Sequence, residues 1–238
     1  MPPRPLIAAN WKMNSIPKGA LDPKSPYRTE GGADVWVFPT FLDIQACIEA
    51  KLVVGAQHAS AEDEGAHTGD VSMRMLASLG CRAVLCGHSE RRQDHGETNE
   101  DVAEQVAAAL DAGLHPIVCI GETAAERKTK KHKKVVEAQM AVLPLGSDIT
   151  IAYEPVWAIG TGQTASPAEA QEMHAYIRSL LPEDMRSKIR ILYGGSIKPI
   201  SAAALFREPD IDGGLVGGAS LDPAMFAEIV KAAESAET

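Results

Sequence analysis

A lysine, a histidine and a glutamate stand where short apolar runs give out. Lys12 follows Asn10 by two residues in Asn10-Trp11-Lys12-Met13-Asn14, so on an extended segment both side chains project to one side. His88 follows Cys86-Gly87 and precedes Ser89-Glu90-Arg91-Arg92. If Ser89 and Glu90 open a helix, its positive end disfavours the imidazolium, and a neutral imidazole can donate to a carbonyl and relay protons. Glu154 closes an apolar run and abuts Pro155-Val156-Trp157, where a carboxylate is costly to bury unless it is used or paired. Poor solvation strengthens such a group as a base. Beyond it, stiff Pro155 and Trp157 give way to hinge-like Gly160 and Gly162, the make-up of a lid that swings as a unit. Taken singly, each has a plainer reading: a surface cation, a loop histidine, a carboxylate in a structural ion pair.

Two glycine pairs, Tyr193-Gly194-Gly195-Ser196 and Val216-Gly217-Gly218-Ala219-Ser220, end the last two apolar runs. Bare backbone amides at such places can cradle a phosphate, and residues 219–223 could supply a short helix facing it. A base, a neutral electrophile and a cation suit proton abstraction beside a carbonyl, with stabilisation of an enediolate. A phosphorylated enediolate readily eliminates phosphate, which gives a water-excluding lid its purpose. The sequence carries no metal-ligand cluster, nucleophile motif or dinucleotide fingerprint that competes with this constellation.

The elements that must position these residues are legible from apolar patterning. Nearly continuous β-branched runs predict strands over 6–10, 35–38, 52–56, 83–87, 116–121, 149–154, 189–194 and 214–216, as expected for parallel strands covered on both faces. Between them, 99–113 repeats Val102, Val106 and Leu110 and stops on Gly113. Ser166-Pro167 with Glu169 reads as a capped helix start, running through Met173, Ile177 and Leu180 to Pro182. Eight strands alternating with helices predict an α/β fold, a single (β/α)8 barrel over 1–238, with a doubly wound open sheet as the alternative. Segment 15–33, with Pro17, Pro23 and Pro26, predicts irregular chain where the first covering helix would stand. The basic run 128–134 (KTKKHKK) reads as a solvated helix face.

Composition bounds the partners. The chain has 238 residues, 45% hydrophobic and 23% charged, which excludes global disorder. Its 23 Lys and Arg against 32 Asp and Glu give a net charge of −9, which argues against nucleic acid or an anionic membrane as partner. An anionic ligand therefore needs a locally positive site. Cys47, Cys81, Cys86 and Cys119 are irregularly spaced and read as reduced core thiols of a cytoplasmic protein. Neither a leader-like start nor an apolar run approaching ~18 residues is present in the sequence.

Seven segments in register carry a resemblance: NWKMN (10–14), GAHTGD (65–70), GHSERR (87–92), CIGE (119–122), AYEPVWAIGTG (152–162), YGGS (193–196) and LVGGASL (215–221). Through them the chain resembles the triosephosphate isomerase family along nearly its whole length. The resemblance implies interconversion of D-glyceraldehyde 3-phosphate and dihydroxyacetone phosphate, a step of glycolysis and gluconeogenesis, with no cofactor and no metal. It implies Glu154 as the base, His88 as electrophile and proton shuttle, and Lys12 as the positive charge on the substrate. Asn10 would orient groups around the carbonyl, while Gly160, Ser196, Gly217 and Gly218 would bind phosphate. Glu90 would position Lys12, Arg91 and Glu97 would form a supporting salt bridge, and Cys119 would support the site. The GAHTGD loop would enter a partner in a homodimer, bringing Thr68 near Asn10 and Lys12 of the partner subunit. The chain departs from the family in its proline-rich 15–33 and its trimmed, more basic 128–145. A phosphosugar lyase or epimerase would need a Schiff-base lysine or metal ligands at strand ends. A non-catalytic phosphate-binding scaffold would lack Glu154 or His88.

Overall fold

A computed structural model describes residues 3–159 and 165–237. Its strands are β1 (Leu6–Asn10), β2 (Asp34–Phe38), β3 (Gly55–Ala56), β4 (Ala83–Cys86), β5 (His115–Ile120), β6 (Thr150–Tyr153), β7 (Ile191–Tyr193) and β8 (Gly213–Val216). They pair in parallel in the order β2-β1-β8-β7-β6-β5-β4-β3. A parallel bridge from Val37 to Val54, with the Val37 amide donating to the Val53 carbonyl at 2.9 Å, brings the two edges together. The sheet is a barrel, and the open-sheet alternative falls because its edges meet.

Alternation decides what fills it. Leu6, Ala8, Phe38, Leu85, Ile117, Ala152 and Leu192 point inward and pack on one another. Their neighbours Ile7, Ala9, Val37, Val84, Val118 and Ile151 point outward into the layer under the helices. Both faces are buried, so the two-residue period of a strand shows in the sequence as an unbroken apolar run.

The helices are α1 (Ile44–Glu49), α2 (Met73–Leu79), α3 (Ser89–His95), α4 (Asn99–Asp111), α5 (Ala124–Lys128), α6 (His132–Met140), α7 (Pro167–Leu180), α8 (Pro199–Phe206) and α9 (Pro223–Glu234). Reciprocal capping starts α4 (Thr98 with Asp101) and α7 (Ser166 with Glu169, Pro167 in the first turn). Helix α4 buries Val102, Gln105, Val106 and Ala109; the expected Leu110 lies at the margin of that stripe. Among the described residues no helix is long and apolar enough to cross a membrane.

Segment 15–33 is irregular, as its prolines require. It is a chain of turns (Ala20 amide to Pro17 carbonyl, Asp22 to Gly19, Ser25 to Asp22). In place of a helix it presses Tyr27 against the barrel. The ring lies edge-on to Trp11 at 5.4 Å and stacks on Phe226 of α9 at 4.7 Å. Its hydroxyl donates to the Ser220 carbonyl at 2.7 Å, which satisfies the one polar atom that burial would strand.

Other boundaries shift for local reasons. Strand β3 is Gly55–Ala56 rather than 52–56, since Val54 makes only the bridge that closes the barrel. Strand β4 stops at Cys86 because Gly87 turns at φ +68°. The basic run is not one helix face: Lys130, at φ +58°, breaks it between α5 and α6. Lys133 from that run pairs with Glu172 at 3.0 Å.

Candidate active site

All strands run one way, so the residues following them share one mouth of the barrel. Asn10, Lys12, His88, Glu154, Gly195, Ser196, Gly217 and Gly218 line a single cavity there of about 610 Å³. The predicted catalytic and substrate-binding residues therefore share one cavity, except Gly160, which lies outside the described residues; Arg91, Glu97, Cys119 and Thr68 do not line it.

Glu154 follows β6 and is 2% exposed, so its charge must be met by protein donors. The Ser89 amide, at the start of α3, donates to its Oε2 at 2.8 Å. Its Oε1 lies 3.1 Å from Nε2 of His88. His88 caps α3: its Nδ1 accepts the Glu90 amide at 3.2 Å. A ring whose Nδ1 accepts carries its proton on Nε2 when neutral, so the donor facing Glu154 and the cavity is Nε2–H. Two close backbone approaches make room for the base. A Cβ on Gly121 would fall 1.8 Å from the Glu154 carbonyl oxygen, and one on Gly194 would fall 2.8 Å from Glu154 Cγ.

Lys12 holds a left-handed backbone at φ +50°, unusual for a side chain with a Cβ. Three hydrogen bonds keep it there. Its amide donates to Asn10 Oδ1 at 3.0 Å, and Gln57 Nε2 donates to the carbonyls of Lys12 at 2.8 Å and Phe38 at 2.9 Å. Its ammonium meets Glu90 Oε1 at 2.5 Å. A Cβ on Gly217 would come within 3.1 Å of Lys12 Cε, so the bare glycine leaves the ammonium its path.

Around this centre, Arg91 pairs with Glu97 at 2.9 Å and also reaches His58 Nε2 at 3.2 Å. His58 is held below its ordinary proton affinity, by burial first and then by Arg91. Cys119, fully buried, has its thiol pushed well up by burial and then by the Glu154 carboxylate. It stands beside the base as a neutral thiol.

Two residues escaped the sequence reading. Gln57, directly after β3, supports Lys12; the expected strand 52–56 also ended at Ala56, so the strand-end rule pointed to it, but a neutral amide gave no chemistry to single it out. Glu122, two residues after β5 and fully buried, accepts from Tyr153 Oη at 3.0 Å, Trp157 Nε1 at 2.9 Å and Arg127 Nη1 at 3.1 Å. It anchors the stiff start of the segment after Glu154, and it lay unassigned inside the quoted CIGE.

One mouth of a parallel barrel thus gathers a buried carboxylate, an imidazole, an ammonium and bare glycine turns around one cavity. The family model for triosephosphate isomerase matches residues 5–233. Curated relatives named triosephosphate isomerase include that of Moorella thermoacetica, 49% identical, covering 95% of this chain and 98% of that one. That of Alkalilimnicola ehrlichii is 47% identical, covering 97% and 98%. That of Coxiella burnetii is 45% identical, covering 95% and 96%. The chain belongs to the triosephosphate isomerase family, and its activity is the interconversion of triose phosphates.

Proposed function

We propose that Glu154 is the base of this reaction, His88 the electrophile and Lys12 the electrostatic stabiliser. The observation that carries the assignment is that Nε2 of His88 and the Glu154 carboxylate meet at 3.1 Å in the wall of the cavity. A substrate carbonyl entering the cavity takes over the Nε2–H in place of the carboxylate. That frees one carboxylate oxygen to take the proton from the adjacent carbon. The developing enediolate is negative, and Lys12, held by Glu90 and Gln57, meets it without reorganisation. Asn10, which fixes the Lys12 amide, orients the carbonyl end. Amides of Ser196, Gly217 and Gly218, with Gly160 from the lid, hold the phosphate and so set which carbon faces the base. Isomerisation run in D2O tests this: the base route predicts solvent deuterium on the reacting carbon of the product, whereas a direct hydride shift would leave none.

The working unit in this reading is a homodimer in the cytoplasm. Residues 62–70, with Thr68 near their tip, are exposed throughout. Beside the active site, a pocket of about 220 Å³ lined by Lys12, Phe41, Gln57 and His58 has room for a side chain or two from such a loop. Met13 and Leu42, each 94% exposed, flank it as apolar surface fit for a second copy. Four buried free thiols suit a reducing compartment. Sedimentation over a dilution series, read beside specific activity, tests the dimer: both should fall together, and full activity in a pure monomer contradicts it.

A further inference from the structure

The opposite mouth of the barrel is also built for charge. Residues just before or at the start of a strand gather there: Arg82 precedes β4, His115 opens β5, Thr150 opens β6 and Arg190 precedes β7. With Trp36 of β2 and Lys188 they line a cavity of about 480 Å³. Trp36 packs on the side chains that fill the barrel, so a packed interior separates this cavity from the active site.

The cations here are only partly matched. Arg190 Nη2 pairs with Asp34 at 2.8 Å, but its Nη1 is buried without a hydrogen-bond partner among the described residues. Arg82 is exposed and forms no ion pair among the described residues. Lys188 reaches Asp184 only at 3.8 Å, with both side chains largely in solvent. His115 sets its ring edge-on to Trp36 and bonds Thr150 Oγ1 at 2.8 Å. Burial, with Arg190 and Arg82, holds it below its ordinary proton affinity against the pull of Asp148. The Asp148 carboxylate, 3.6 Å from Nδ1, is 94% exposed. The strand ladder fixes the bases of the two arginines: the His115 amide donates to the Arg82 carbonyl and the Ile151 amide to that of Arg190, both at 2.9 Å.

We propose that this cavity is a second anion site, taking a small multivalent oxyanion between Arg82, Lys188 and Arg190. Guanidinium forks on rigid strand ends match paired oxygens and lose little freedom on binding them. Thr150 and Trp36 offer a neutral wall. Phosphate esters, pyrophosphate and polycarboxylates share the required chemistry. The site stands apart from the assignment of catalytic roles.

The test is titration of the full chain with pyrophosphate, following the imidazole resonances of His115, with those of His88 reporting the active site. Citrate forms a second arm that tells a polycarboxylate source from a phosphate one. Saturation of His115 by either supports the site; saturation by neither overturns it. Combined Arg82→Ser and Lys188→Ser should weaken binding about tenfold or more while turnover is unchanged. Asp148→Asn, altering a solvated side chain, should tighten it and keeps the test readable should the double variant lose its fold. Unaltered affinity in these variants, or a His115 shift reproduced by sodium chloride at matched ionic strength, overturns the proposal.

Discussion

Oε1 of Glu154 and Nε2 of His88 lie 3.1 Å apart, and neither group is more than 7% exposed. The carboxylate is satisfied in place: the imidazole donates to one oxygen and the Ser89 amide to the other. A carboxylate satisfied on both oxygens is held in position but is a muted base. In the proposed mechanism, substrate entry diverts the His88 donor and converts Glu154 into an active base, so that binding and activation are one event.

Because Glu154, the proposed base, packs closely against Gly194, a single methyl there should misalign it. Gly194→Ala puts a Cβ 2.8 Å from Glu154 Cγ and 3.1 Å from the Tyr153 carbonyl oxygen. We expect kcat to fall about tenfold or more with KM little changed, since small misplacements of a reacting group are expensive. Steady-state kinetics of the variant check this, and a wild-type kcat would show that the base is not held by that contact.

The aromatic substitute for the first covering helix should carry stability rather than chemistry. Tyr27→Phe removes only the hydrogen bond to Ser220 and should cost about 1 kcal/mol, leaving an acceptor with little else to bind. Tyr27→Ala empties a fully buried site between Trp11 and Phe226 and should cost about 3–5 kcal/mol. Denaturant unfolding of both variants measures the difference, and equal losses would mean that the ring contributes nothing beyond its hydroxyl.

Stability should also fall on mild acidification. His174 on α7 is fully buried and its pKa drops from the ordinary 6.5 to about 4, chiefly through burial. Below 6.5 the unfolded chain binds a proton that the folded chain refuses. The stability contributed by the neutral ring is therefore present above 6.5 and lost as pH falls toward 4, by about 3 kcal/mol. Unfolding free energy measured across that window should slope accordingly, and His174→Asn should flatten the slope.

How much of this was readable beforehand differs by element. Strands and the helix at 167 were, because outward and inward strand faces are both buried and because Ser166 and Pro167 mark a helix start chemically. His88, Glu154 and Lys12 were, because a parallel barrel collects strand ends at one mouth. Gln57 was overlooked although the expected strand 52–56 ended directly before it, because an amide that acts on the Lys12 carbonyl carries no charge to mark it. Tyr27 was hidden because a side chain that replaces a helix leaves no periodicity. The break at Lys130 was hidden because a left-handed lysine has no compositional mark, unlike a glycine.

The central claim is that Glu154 moves the proton, and Glu154→Gln tests it most directly. The amide keeps the shape and an acceptor oxygen but has no base. Turnover should fall about 10³-fold or more, as when a general base is lost, while a phosphorylated competitive inhibitor still binds. Turnover within a few fold of wild type would contradict the account and move the base elsewhere in the cavity.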